Sequence, residues 1–442
     1  MHFFPLLGLA SVVLATPQQQ LPFLSPSSSS SLVPNGLPTQ AYKPPAQLSD
    51  LPAEHLTQLH EHIAQWPETR RVRLRDPQGG PGPVIEISEG KKSLLTLAGL
   101  RFVDITNDEF DLGEEEEVIL DSTHSVSYPS KLVHNSSSLS PLFDSISLPS
   151  IKEFLTKFTN FRTRYYRSQS GRDSQLFLLE HLKELHQTLN KKAKLEFREF
   201  NHEWIQKSII VRWEPTVKTE SYKDEVIIIS AHQDSTNSLP FLPAPGADDD
   251  ASGTVTLVST LTQLLAHGYE PVSNPIEFHF YSAEEGGLLG SGEIAKEYRE
   301  TGKKVKGMFH MDVVAYIKPG TEPVIGMIMD GTNLALVDFM KLLVDEYATI
   351  PYAETHCEYA CSDFFSFTKY GFPSTCLAEG KFEDSNPNMH SMKDTINAEG
   401  YSLEHIREYV RVSIGYLIEL GAMEKKSDGK KGRNTSGRWR ME

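Results

Sequence analysis

The stretch Val226-Ile-Ile-Ile-Ser-Ala231 is almost continuously apolar, and this constrains the fold more than any other feature of the chain. A strand alternates its side chains between two faces, so a run without alternation needs cover on both. Comparable runs occur at Ile209–Trp213, Ile276–Tyr281, Gly307–Met311 and Ser374–Leu377. Helical periodicity fills the intervals: Ile151–Phe158, Ser174–Leu185, Ala251–Ala266, Gly290–Arg299, Leu334–Tyr347, Asp363–Lys369 and Leu403–Leu420. Apolar strands separated by helices predict the α/β class: one globular domain whose mostly parallel, mixed sheet is flanked by helices.

The flanks read differently. Met1–Ala15 has a short apolar core ending in a small residue, with His2 where Lys or Arg is usual. It is too short to span a bilayer and resembles a secretory signal peptide cut near Ala15–Thr16. No later apolar run is long enough to cross a membrane, so the expectation is a soluble, secreted, extracellular protein with no membrane partner. Residues 16 to about 50 are rich in Pro, Ser and Gln. Helical periodicity is then read over 51–75 (Leu51, Leu56, Leu59, Ile63), and a strand at Val84–Ile87. The acidic segment Asn107–Glu117 ends in Glu114–Glu117 and reads as a solvated linker. We expect 16–123 to be a small N-terminal unit, 124–425 the main domain, and 426–442 a polar tail. The net charge of −16 leaves no basic field for a nucleic-acid partner. Cys357 and Cys361 are spaced for a small disulfide loop, although two reduced core thiols would look the same; Cys376 is left over. Asn135 and Asn434 begin glycosylation sequons, which matter if the chain is exported.

Ligands of such a sheet gather at the carboxyl ends of its strands. His232-Gln-Asp234 follows one strand, Glu284-Glu285 another, Asp312 a third, and His390 a fourth after a loop. Asp248-Asp-Asp250 enters a helix on the same rim, behind the turn Pro245-Gly246. Each alone has an ordinary reading as a helix cap or a solvated loop residue; their coincidence on one rim does not. His279 and His310 lie within strands and read as packing residues.

Imidazoles and carboxylates without cysteine select a borderline cation, and zinc is the usual one for hydrolysis. Two histidines and four or more carboxylates are too many for one tetrahedral zinc but suit two. One aspartate of the run has two oxygens and can bridge a pair of ions about 3.5–4 Å apart. A shared water would then fall in pKa towards ~7. A carboxylate outside the ligand set could take its proton and pass it on, so Glu284-Glu285 supplies one residue for each task. Asp234 is placed to orient the His232 ring. Spacing does not say which aspartate bridges.

Six motifs in this order resemble one family. They are Ser230-Ala-His-Gln-Asp-Ser, Ala244-Pro-Gly-Ala-Asp-Asp-Asp-Ala-Ser-Gly, Tyr281-Ser-Ala-Glu-Glu-Gly-Gly-Leu, His310-Met-Asp, Cys357-Glu-Tyr-Ala-Cys-Ser-Asp and Asn388-Met-His. Together, over about residues 148–425, they are similar to the co-catalytic di-zinc aminopeptidases of peptidase family 28, clan MH, of the secreted leucine aminopeptidase type. Thr159-Asn-Phe-Arg-Thr-Arg-Tyr-Tyr extends the likeness upstream. The resemblance implies the zinc-exopeptidase fold and two zinc ions bridged by Asp249, one completed by His232 and Asp312, the other by Glu285 and His390. It further implies Glu284 as general base and then acid, with Asp234 behind His232. A Cys357–Cys361 disulfide would lie beside an apolar specificity pocket, with Tyr359 there to hydrogen-bond the tetrahedral intermediate and Phe382 and Met389 in the pocket. Ala378 and Ser385 are smaller or more polar than that pattern. The N-terminal unit would be a propeptide, removed before or near Ser127 and acting as folding aid or inhibitor.

The function expected is a secreted, monomeric zinc aminopeptidase that removes apolar, Leu-like residues from peptides with a free α-amine. The alternatives are a dipeptidyl peptidase or carboxypeptidase, a glutaminyl cyclase-like acyl transferase holding one zinc, or a peptidase-like binding module that has lost its metal ligands.

Overall fold

The computed structural model describes residue 48 and residues 51–421, apart from 77–78, 109–125, 219 and 221. Met1–Ala15, Glu114–Glu117, Asn434 and the polar tail therefore lie outside the described residues.

In chain order the elements are α1 (Ala53–Gln65), β1 (Thr69–Arg75), β2 (Pro81–Ser88), α2 (Lys92–Leu97), β3 (Phe102–Asp104), α3 (Ser136–Asp144), α4 (Leu148–Phe158), α5 (Gln169–Leu189), β4 (Lys194–Phe200), β5 (Ser208–Glu214), β6 (Glu225–His232), α6 (Ala251–Ala266), β7 (Ile276–Tyr281), α7 (Leu289–Glu300), β8 (Lys304–Met311), β9 (Ile325–Ile328), α8 (Leu334–Tyr347), β10 (Tyr352–Thr355), α9 (Phe364–Lys369), β11 (Ser374–Ala378) and α10 (Leu403–Gly421). Eight strands form one sheet in the order β10-β9-β11-β8-β6-β7-β5-β4. The central strands β7, β6, β8 and β11 run parallel; β4, β5 and β9 introduce antiparallel pairings. This is the mixed, mostly parallel α/β sheet expected from the sequence.

Both faces of β6 are covered, as its composition requires. Ile227, Ile229 and Ala231 enter one core with α3–α6, α8 and α10, while Val226 and Ile228 enter a second core with α7 and α9. Each fully buried aliphatic side chain contributes roughly 1.5–3 kcal/mol, so both layers hold the sheet. The chain leaves β6 for β7 on one side and then crosses to β8 on the other. Its carboxyl end is thus a topological switch point, where such sheets form a crevice.

The N-terminal part departs from the helix read over residues 51–75. Helix α1 ends at Gln65, and residues 69–75 are a strand in a separate three-stranded sheet, β2-β1-β3. Pro67 is the cause: it lacks an N–H and disfavours helical backbone in the residue before it. The strand read at Val84–Ile87 lies within β2. Strands β4, β9 and β10 were not expected: β4 alternates exposed and half-buried positions at the sheet edge, and the other two have four residues each.

The small sheet sits against the carboxyl rim of the large one. Leu59 and Leu94 pack on Leu239, and Glu89 accepts a hydrogen bond from Tyr166 Oη at 2.5 Å. Lys92 Nζ donates to Gly286 O (3.0 Å), and the Asp104 N–H donates to Gly287 O (3.0 Å). Gly287 has φ +99°, and a Cβ there would lie 2.7 Å from Asp104 N, so the approach depends on glycine. Arg75 pairs with Glu358, and Lys369 with Asp108. Cys357 and Cys361 form a disulfide, their Cα atoms 6.0 Å apart, and Cys376 is a buried free thiol. Asn135 is exposed, and its side chain caps α3 by accepting the Ser138 N–H at 2.9 Å. Among the described residues no helix is long and apolar enough to cross a membrane.

Candidate metal centre

Strand β6 delivers its last residue, His232, fully buried at the switch point. β7 ends at Tyr281 and turns through Ala283, at φ +61°, into Glu284-Glu285. β8 ends one residue before Asp312, and His390 arrives on the loop after β11, also with left-handed backbone (φ +55°). The residues expected on one rim are therefore brought together, and their spacing is informative. His232 Nε2 lies 3.2 Å from Asp249 Oδ1 and 3.4 Å from Asp312 Oδ1. His390 Nε2 lies 3.1 Å from Asp249 Oδ2 and 3.0 Å from Glu285 Oε2. Asp249 thus turns one oxygen to each imidazole.

Its neighbours are committed elsewhere. Asp248 Oδ1 accepts the Ala315 N–H (2.9 Å) and Oδ2 accepts from Asn386 Nδ2 (3.0 Å). Asp250 Oδ1 accepts from the Gly253 N–H (2.8 Å), capping α6, and from the Val313 N–H (3.3 Å). Asp250 Oδ2 accepts the His232 N–H at 3.2 Å. Asp250 also comes within ligand reach of His232 and Asp312, but backbone donors already occupy both its oxygens, which favours Asp249 as the carboxylate free to bind.

The donor set suits a pair of zinc-like cations. Neither ring nitrogen of His232 has a hydrogen-bond partner although the residue is fully buried, and Glu285 Oε1 is likewise buried without one. An imidazole nitrogen aimed at two carboxylate oxygens needs a positive centre among them, because burial with lone pairs facing is costly. The side chains register this field. Burial works against protonation of His232 and His390, yet Asp312, Asp234 and Asp249 around the first, and Glu285 and Asp249 around the second, raise both well above the usual range. Burial opposes ionisation of Asp249, but the two histidines hold its carboxyl well below the usual range.

Glu284 stands apart from these contacts. Burial, reinforced by Asp312, Asp363 and Glu285, pushes its carboxyl well above the usual range against the pull of His232. Asp234 is fully buried beneath both groups: Oδ1 accepts the Glu284 N–H (3.1 Å), Oδ2 accepts the Glu285 N–H (3.2 Å), and Oδ1 lies 3.5 Å from His232 Nδ1. It therefore ties the glutamate turn to the histidine. The histidines read as packing residues behave so. His310 bridges Ser230 (2.9 Å) and Ser362 (2.8 Å), burial lowering its pKa to about 3, and His279 contacts Glu277 (2.9 Å) and Tyr281 (3.0 Å).

Tyr359, in the disulfide loop, packs on Phe365 with ring centres 5.0 Å apart, in the same cluster as Phe382 and Ala378. Phe382 is half-buried and donates its N–H to Thr355 Oγ1 at 2.8 Å; Met389 is half-buried beside His390. One participant was not foreseen. Arg101 of the N-terminal unit lays its guanidinium over the Phe382 ring, 4.6 Å from its centre. The residue is exposed at the mouth of the crevice, but its guanidinium is enclosed enough for desolvation to lower its pKa, against Asp312, Glu284 and Asp249. Asp363, fully buried with neither carboxyl oxygen hydrogen-bonded, was also missed; burial raises it to about 8. Arg101 had no sequence signal, and Asp363 stood in the Cys357–Asp363 motif without a role, since each acts through spatial neighbours.

Residues 208–414 match the sequence pattern of peptidase family M28. The chain is 37% identical over 359 residues to a probable aminopeptidase of Saccharomyces cerevisiae, covering 79% of this chain and 93% of the relative. It is 35% identical over 397 residues to leucine aminopeptidase 1 of Coccidioides posadasii, covering 87% and 97%. Its fold is similar to that of the LapA aminopeptidase of Legionella pneumophila, with TM-score 0.69 and 21% identity over 81% of this chain and 100% of that one.

Proposed function

This chain belongs to peptidase family M28 as a zinc-type aminopeptidase, and from that premise we propose that it is a secreted enzyme with two zinc ions that releases apolar, Leu-like residues from peptides bearing a free α-amine. The observation that carries the two-metal reading is Asp249, whose oxygens face the Nε2 atoms of His232 and His390 at 3.2 and 3.1 Å. In this reading His232 and Asp312 complete one site, and Glu285 and His390 the other. Bound there, the ions would polarise the scissile carbonyl and acidify a water.

The remaining steps belong to side chains of the chain. Glu284 takes the proton of the attacking water and returns it to the leaving amine. Its burial supports this, because a carboxyl destabilised as an anion has a pKa nearer that of the groups with which it exchanges protons. Asp234 fixes the backbone of Glu284 and faces the far side of the His232 ring. Tyr359 and Phe382 provide apolar surface for the departing residue, and the names of the Coccidioides and other relatives favour Leu there. The N-terminal unit is proposed to be a propeptide that blocks the crevice until it is removed, in keeping with Arg101 over Phe382 and with the backbone contacts at Gly286 and Gly287.

The test combines metal content with paired substrates. Processed protein should hold about two zinc per chain and hydrolyse Leu-p-nitroanilide but not its N-acetylated form. Hydrolysis of the blocked substrate would remove the free-amine requirement. A single tightly held zinc without Leu-p-nitroanilide turnover would point to an acyl transferase instead.

A further inference from the structure

The loop Pro245–Asp249 places the proposed bridging carboxylate, yet among the described residues it belongs to neither a helix nor a strand. It is gripped from two directions. Arg164, fully buried between α4 and α5, donates to Pro245 O, to Gly246 O from Nη2 (2.8 Å) and to Gln233 O from Nε (2.8 Å). Its backbone N–H reaches Ser235 Oγ (3.1 Å), which in turn donates to Ala244 O (2.8 Å). The guanidinium face rests 4.6 Å from the Phe158 ring centre. Burial lowers its pKa only to about 10, opposed by Asp394, Asp249, Asp234 and Asp250, so it stays cationic.

On the other side, Asp394 is buried with both oxygens turned to the loop's N–H groups. Oδ1 accepts from Asp248 N (3.0 Å), and Oδ2 from Asp248 N (3.2 Å) and Asp249 N (3.0 Å). Its own carbonyl accepts the Ala247 N–H at 3.2 Å. The fit leaves no slack: Gly246 has φ +52°, and a Cβ there would lie 2.8 Å from Arg164 Nη2 and 2.5 Å from Ser235 Cβ.

We propose that Arg164 and Asp394 are a pair of positioning residues, a guanidinium on the carbonyls and a carboxyl group on the N–H groups of one loop, which together fix the Asp249-to-His232 spacing. The reasoning rests on the assignment of Asp249 and His232 as metal ligands. Arg164 joins the two ligand loops directly, because its planar fork reaches Gln233 beside His232 and Pro245-Gly246 before Asp249. A lysine has one nitrogen and cannot span three carbonyls. An asparagine at 394 keeps the shape but turns an NH2 group towards one of the loop's N–H groups in place of an acceptor. Supports of this kind change metal affinity by about 10–100-fold.

The experiment uses the full chain, wild type and the variants Arg164→Lys and Asp394→Asn, each checked for native circular dichroism. Zinc affinity is measured by chelator competition, and kcat and KM with Leu-p-nitroanilide after processing. The expected result is a rise of about 10-fold or more in the zinc dissociation constant and a fall in kcat with KM little changed. In Arg164→Ala, millimolar guanidinium but not methylammonium should restore zinc affinity. Folded variants with wild-type zinc affinity would overturn the clamp, as would rescue by both cations alike. If Arg164→Lys does not fold, Asp394→Asn decides alone. Failure of the wild-type chain to bind zinc would instead sink the metal assignment.

Discussion

Replacing Asp234 with Asn tests whether the second row of groups sets the geometry of the first. Asp234 makes three contacts with two oxygens: the Glu284 N–H at 3.1 Å, the Glu285 N–H at 3.2 Å, and His232 Nδ1 at 3.5 Å. Asparagine offers one oxygen and an NH2 group. With its oxygen in place of Oδ1, the NH2 group confronts the Glu285 N–H, donor against donor. In the other orientation it confronts the Glu284 N–H and the His232 ring.

Either way one buried N–H loses its partner, at a cost of about 1–3 kcal/mol in stability. Loss of the carboxylate behind a ligating imidazole adds about 10–100-fold in metal affinity. The turn carrying Glu284 shifts as well, and misplacement on the order of 1 Å can cost about 10²-fold in rate. Asp234→Asn should therefore lower stability in urea by about 1–3 kcal/mol in metal-free protein. It should also raise the zinc dissociation constant at least about 10-fold and reduce kcat by about 10² even at saturating zinc. Chelator competition, denaturant melts and Leu-p-nitroanilide kinetics read the three effects separately. A variant with zinc affinity and kcat both within about threefold of wild type, below the expected range, would show that Asp234 supports neither the ligand nor the turn.

Three further outcomes are expected. Glu284→Gln should keep both zinc ions by elemental analysis while kcat falls at least about 10²-fold, and near-normal turnover would reassign the base. In the unprocessed chain, Arg101→Ala removes a cation–π contact of about 0.5–2 kcal/mol, so activity on Leu-p-nitroanilide before processing should rise about 2–30-fold, with none of that rise after processing; an unchanged precursor would clear Arg101 of any blocking role. The third concerns pH. Burial alone would raise the Glu89 carboxyl, but the charges of Lys92 and Arg167 and the hydrogen bonds from Tyr166 and Lys92 outweigh it and hold the pKa at about 2. A depressed carboxyl contributes stability that is complete above its unfolded value of 4.5 and lost as pH falls towards 2. Limited proteolysis of the unprocessed chain should show the N-terminal unit loosening across that window, and Glu89→Gln should flatten the dependence; a pH-independent wild type would refute the linkage.

What could be read in the sequence follows from where the physics is local. β6, β7 and β8 were legible because a strand covered on both faces must be apolar on both. β4 was not, since an edge strand such as Lys194-Leu-Glu-Phe-Arg-Glu-Phe200 mixes charge with apolar residues and matches no continuous run. β1 escaped because its pattern Thr-Arg-Arg-Val-Arg-Leu-Arg depends on partners outside it: Glu89 for Arg70, and Gly82 O for Arg73. The rim positions of His232, Glu284, Glu285 and Asp312 were legible because strand ends converge at a switch point. Asp394 and Arg101 left no mark, and Arg164 stood in the Thr159–Tyr166 motif without a role, because their partners are backbone groups or rings distant in sequence.

The three consecutive aspartates show why such a site needs more charge than it uses. A buried carboxylate with both oxygens free to bind ions is unfavourable unless its backbone cannot move away. The loop achieves this by committing the two flanking carboxylates to other partners, Asp248 to Ala315 N and Asn386 Nδ2, Asp250 to the N–H groups of His232, Gly253 and Val313. Those partners lie on four separate segments, so the flanking pair registers the loop against the whole rim rather than against one element. The middle residue is then the one whose oxygens have no backbone donor to satisfy them and two imidazoles to face. Spacing along the chain could not separate Asp249 from its neighbours, because all three are chemically the same; the distinction lies in which of them the rest of the fold leaves unoccupied.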